Sequence, residues 1–169
     1  MTHPLVLGLF DAPVAAAAAA RALRGLGIPR ERVSIVARNH DEEGSLARAS
    51  GASPGSEIED SRIASRLGEL SAHLLAAIAV VLPGVGPIVA DGPLAAGLGE
   101  AAGHLAGGIA RALEQAGIPP ETAEAWQTRV EGGAIIVGAH VPAGSTTAAA
   151  RTALAASGAS YVTEGQWDE

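Results

Sequence analysis

Residues 67–116 constrain the fold of this chain more than any other stretch. They are built very largely from Ala, Gly, Leu, Val and Ile, with Asp91, Glu100 and His104 among the few polar interruptions. So much apolar chain must be covered by protein or by lipid. The apolar piece after His73, residues 74–90, is only 17 uncharged residues and contains Pro83 and Pro87. A bilayer span needs about 20 unbroken apolar residues. The expectation is therefore burial in protein, as two close-packed helices near 61–82 and 94–116 that turn back on each other around residue 88. A membrane role is not favoured.

The flanking sequence has the rhythm of an α+β domain. An apolar run at 5–10 ends at Asp11, placed to cap a helix with Pro13 in its first turn. That helix stops at Gly27-Ile28-Pro29: a glycine for the left-handed position, an apolar staple, and a proline that forbids continuation. A strand follows at 33–38, and an acidic, Ser- and Gly-rich linker spans 39–60. After the insertion, a second Gly117-Ile118-Pro119 stop precedes a short helix at 121–131 closed by Gly132-Gly133. A strand at 134–141, a helix at 146–157 stopped by Gly158, and a short strand at 161–163 complete the pattern.

The chain divides into a first half at 1–38, the linker at 39–60, the insertion at 61–116 and a second half at 117–169. Without the insertion the order is strand–helix–strand twice. That order predicts a ferredoxin-like four-stranded antiparallel sheet with an inserted Ala/Gly-rich helical hairpin. Strands 5–10 and 134–141 are apolar on both faces and should be central. Strand 33–38 and the last strand should be edges. One sheet face takes the two connecting helices, and the insertion or a partner subunit should cover the other. The segment Arg21-Ala-Leu … Gly27-Ile-Pro … Glu31 recurs as Arg111-Ala-Leu … Gly117-Ile-Pro … Glu121. Shared helix-stop chemistry accounts for this echo as well as a duplication would.

Composition excludes several functions. The chain has no Cys, which removes disulfides and thiolate chemistry, and all eleven basic residues are Arg, which removes lysine Schiff bases. A net charge of −7 disfavours nucleic acid and anionic lipid. Aromatics are only 2%, so the core must be aliphatic. The N-terminus lacks a basic region of the secretory kind, and a cytoplasmic location is expected.

Three blocks in order carry a family resemblance. The first is Phe10-Asp11 with its Ala-rich helix, Gly27-Ile28-Pro29 and Val33-Ser-Ile-Val-Ala37. The second is Pro83-Gly84-Val85-Gly86-Pro87 with Gly92-Pro93-Leu94. The third runs from Gly117-Ile118-Pro119 through Glu124-Ala125-Trp126 and Val130-Glu131-Gly132-Gly133 to Ile135-Ile-Val137. Together they resemble the bacterial general stress protein (YflT-type) domain family. The resemblance implies this architecture and a link to stress responses, and it brings no active site with it.

The candidate sites lie in the insertion. Gly99, Gly103 and Gly107 recur every fourth residue, a stripe that lets another helix backbone approach and so a candidate interface. His73 and His104 would stand at similar height on facing helices of the hairpin. Each follows a glutamate by four residues, Glu69 and Glu100. Two imidazoles and two carboxylates suit a divalent metal, and the two histidines suit a haem. The plain alternative is an ordinary pair of Glu–His contacts one helical turn apart. Asp91 is placed to cap the second inserted helix. Trp126 is placed to seal a core edge, and Trp167 to anchor the tail or a subunit contact. His140 falls at a sheet end and His40 in the linker. Ser145, Ser157 and Ser160 have no evident base, and no nucleophile-elbow, dinucleotide or zincin motif occurs. The leading expectation is a non-enzymatic, self-associating protein, most simply a homodimer.

Overall fold

The structure is a computed structural model that describes residues 2–38, 78–82, 86–91, 94, 108–141 and 145–168. The elements among them, in chain order, are β1 (Thr2–Phe10), α1 (Pro13–Gly25), a 3-10 turn at Arg30–Arg32, β2 (Val33–Arg38), β3 (Ile78–Leu82), β4 (Gly86–Asp91), α2 (Gly108–Gln115), α3 (Pro120–Glu131), β5 (Ile135–His140), α4 (Ser145–Ala156) and β6 (Tyr161–Asp168). The architecture is α+β, with one antiparallel sheet in the order β3-β4-β2-β5-β1-β6.

Helix ends follow local chemistry closely. Gly27, Gly117, Gly133 and Gly158 all have positive φ, between 79° and 106°. In each case the next residue's N–H reaches back five residues: Ile28 to Leu23, Ile118 to Leu113, Ala134 to Arg129 and Ala159 to Leu154. These bonds satisfy carbonyls that the end of a helix would otherwise orphan.

Alternation along the strands sorts the core into two layers. Leu5, Leu7 and Leu9 of β1 join Val36 and Ile136 in packing against Ile109, Leu113, Ala123, Trp126 and Val130 of α2 and α3. Val6 and Phe10 face the other way with Ile35 and Val137, against Ala16, Ala20 and Leu23 of α1 and Leu154 of α4. Each fully buried Leu or Ile contributes about 1.5–3 kcal/mol, and β1 and β5 supply such side chains to both layers.

Several expectations need correction. The helix expected over 61–82 is not helical at Ile78–Leu82. That segment and Gly86–Asp91, in the expected turn, form two strands, β4 pairing with β2 and β3 pairing with β4, so the described residues give six strands where four were expected. The physical reason is composition: Ile78, Val80, Val81, Ile88 and Val89 are β-branched and fit a pleated surface better than a helix. Pro87 is tolerated because the β2–β4 pairing begins at Ile88, so its missing N–H costs no bond to β2. Strand β2 is consequently interior rather than an edge. Over β1, β2 and β5 the second sheet face is covered by α2, which belongs to the insertion as expected, together with α3. The last strand runs through Asp168 instead of ending near 163.

Candidate functional site

The two ends of the sheet differ sharply in chemistry, and that contrast is the main functional feature of the described residues. At one end, β6 pairs with β1 along its whole length. Its outer side is guarded. The N–H of Gln166 donates to the carbonyl of Ala116, at the end of α2, at 2.8 Å. Glu164 forms an ion pair with Arg151 of α4. A charge on the strand and a capped N–H are the usual protections of an edge.

At the other end, β3 is Ile-Ala-Val-Val-Leu, with no charge and no proline. It pairs with β4 in the register Ile78↔Ala90 to Leu82↔Gly86. Among the described residues nothing pairs with its outer side. A strand in that position presents a row of backbone donors and acceptors to any extended chain that can match it.

A buried polar pair lies on the α2–α3 face of the sheet. Among the described residues, Ser34 of β2 and His140 of β5 are the two buried polar side chains, at 0% and 4% exposure. The Ser34 hydroxyl accepts the N–H of Leu94 at 3.0 Å and lies 3.4 Å from His140 Nε2. The Trp167 ring meets the imidazole edge-on, with centroids 5.7 Å apart at 87°. A seryl hydroxyl beside an imidazole suggests a nucleophile and its base. With Ser34 wholly buried, the pair instead tethers Leu94 to the sheet and satisfies polar groups that burial would penalise.

A surface network closes the opposite end of β1. Asp11 does not cap α1: the N-cap is Ala12, and no side chain caps it. The Asp11 carboxylate instead accepts from the Ser160 hydroxyl at 2.5 Å and from the Arg129 guanidinium of α3. The Ser160 bond first, and then Arg129, hold this carboxyl below its ordinary pKa. Beside it, a shallow cleft of about 520 Å3 has Leu9 and Trp126 as floor and Arg129 and Tyr161 at its rim. A second cleft of about 780 Å3 between α2 and α3 is lined by Arg111, Glu114, Glu124 and Glu131. Within it Gln127 accepts the N–H of Ala110 and donates to Glu131, docking the start of α2 on α3.

The sequence-predicted site residues fare unevenly. His73, His104, Glu69, Glu100, Gly99, Gly103 and Gly107 lie outside the described residues. Asp91 ends β4, paired with Ile35. Trp126 seals the α3 layer as expected, while Trp167 belongs to β6 and packs on that same core. Among the described residues no group of three His, Cys, Asp or Glu is placed to hold a metal ion, and no helix is long and apolar enough to cross a membrane. Sequence reading missed Ser34 as a partner of His140 and missed β3 as an edge. The β-branched content of 78–82 was the available signal for the second. Comparison with family models, with curated proteins and with solved structures yields no match for this chain.

Proposed function

We propose that this chain is a non-enzymatic, self-associating protein whose contact surface is the β3 edge. The observation that carries the reading is the contrast between a guarded β6 and an uncharged β3 that, among the described residues, is paired on one side only. Over β1, β2 and β5 the second sheet face already packs against α2 and α3, which favours an edge over that face as the contact surface. In this reading β2, β5, β1 and β6 with their helices are a ferredoxin-like core, and β3–β4 is an added hairpin that carries the sheet outward to a new edge. The link to bacterial stress responses and the cytoplasmic setting rest on the sequence alone.

A five-residue edge makes few backbone bonds, so the expected association is reversible and concentration-dependent. Sedimentation equilibrium over a wide concentration series tests it. A mass that climbs from monomer toward dimer supports self-association. A mass fixed at the monomer throughout overturns it.

A further inference from the structure

The geometry points to a small-molecule site in the cleft between α3 and the start of β6, one that takes a singly charged carboxylate carrying an aromatic body. The cleft lies at the opposite end of the sheet from β3, so the inference does not depend on self-association. Every residue that lines it is among those described. Its volume of about 520 Å3 falls within the roughly 300–1,000 Å3 of small-molecule sites. The chain has only four aromatic residues (two Trp, one Tyr and one Phe), and Trp126 and Tyr161 both line this cleft. Trp126 is 4% exposed and belongs to the core, whereas Tyr161 is 60% exposed. Tyr161 stands opposite the buried Leu9 in the β1–β6 pairing, which puts it on the α3 side of the sheet. A ligand ring seated against Tyr161 covers apolar surface that folding leaves in water, and gains the ring–ring contact as well.

The charge at the rim identifies the ligand's head. Arg129 follows Thr122, Ala125 and Trp126 on α3 at helical spacing, so the four share one face of that helix. Its Nη2 donates to Asp11 Oδ1, while the other oxygen of Asp11 accepts from Ser160. A guanidinium carries more N–H donors than one carboxylate oxygen can use, and among the described residues Arg129 donates to nothing else. The donors left over form a planar fork held in place by Asp11. A carboxylate matches such a fork with two parallel bonds. The surroundings limit the ligand to a single charge. Glu121 lines the same cleft, eight residues before Arg129 and so roughly 12 Å along the helix. Asp11 stands beside the guanidinium, and Arg129 is the one cation among the lining residues. A phosphate dianion or a dicarboxylate brings a second negative charge among these carboxylates, whereas a monocarboxylate offers one charge to one cation.

Isothermal titration calorimetry of the full chain with phenylacetate tests the site, with phenylethanol, phenylmalonate and acetate as controls. Saturable one-to-one binding of phenylacetate is expected, with weaker binding of the alcohol and of the dicarboxylate and none of acetate. Arg129→Gln keeps an amide donor but loses the charge, and should weaken phenylacetate binding about tenfold or more, as for a lost charge-assisted bond. Arg129→Lys restores the charge without the fork and should recover only part of that loss. Tyr161→Ala should weaken binding about 2–10-fold through the lost ring contact. Arg129 and Tyr161 both stand largely outside the core, and far-UV circular dichroism confirms the fold of each variant. The absence of any saturable heat with phenylacetate overturns the site. Phenylethanol binding as tightly as phenylacetate, or unchanged binding by Arg129→Gln, overturns the carboxylate assignment. Phenylmalonate binding as tightly overturns the single charge, and unchanged binding by Tyr161→Ala overturns the aromatic seat.

Discussion

The N–H of Gln166 and the carbonyl of Ala116 meet at 2.8 Å, fastening the end of α2 to the outer side of β6. The approach is possible because residue 165 is glycine: a Cβ there would lie 2.3 Å from that same carbonyl oxygen. The obstacle is backbone, so it cannot swing aside. Gly165→Ala is expected to destabilise the protein by about 2–4 kcal/mol, within the range for overpacking and lost buried bonds. Urea denaturation of both proteins measures the difference, and an unchanged midpoint would show that α2 is not held there.

Ser34→Ala removes the acceptor of the buried Leu94 N–H and one neighbour of the His140 imidazole. Leaving a buried donor unsatisfied costs about 1–3 kcal/mol. Ser34→Thr keeps a hydroxyl and should recover part of the loss. Thermal melts of the three proteins provide the comparison. Equal melting of the alanine variant and the parent would mean that the tether contributes nothing.

Asp11 links stability to pH. Its folded pKa lies below the ordinary value of 3.8, through Ser160 first and Arg129 second. A depressed carboxyl contributes stability above its unfolded pKa and loses it as pH falls through the folded value. The parent should therefore lose stability on acidification below about pH 4 more steeply than Asp11→Asn. The side chains are exposed, so the effect is small and weakens in salt. Chemical denaturation along a pH series checks it, and parallel curves for the two proteins would refute the linkage.

Salt should move self-association in the opposite direction from an ion-paired interface. Two chains of −7 repel, and the Debye length shrinks from about 30 Å at 0.01 M to about 8 Å at 0.15 M. An uncharged seam feels only the relief of that repulsion, so the dissociation constant is expected to fall as salt rises over this range. Sedimentation at several ionic strengths measures it. A dissociation constant that rises with salt would place complementary charges at the interface and exclude β3 as the seam.

The gap between sequence and structure is widest in the insertion. Short apolar runs do not declare their period: five consecutive apolar residues suit a buried strand or a buried helix turn equally. The surrounding Ala and Leu favoured helix at 78–82, while its β-branched Ile78, Val80 and Val81 permit a strand that only pairing realises. What decided the matter was β2, whose free side gave β4 a ladder from Ile35↔Asp91 to Arg38↔Ile88. The Asp11 expectation failed for a similar reason. Aspartate before a helix is a sound cap signal, but Ser160 and Arg129, far away in the chain, offered its carboxylate stronger partners.

The amino-acid sequence by itself determined the helix stops, the two-faced apolar strands β1 and β5, and the aliphatic core, because those depend on one residue's backbone freedom or on the pattern of its near neighbours. Tertiary structure alone decided that Ser34 meets His140 across 106 residues and that, among the described residues, Ile78–Leu82 is the outermost strand beyond β4. A strand's hydrogen bonds are made with a partner that the local sequence does not contain. Its pairing, and which edge is left over, emerge only when the whole chain has chosen its neighbours.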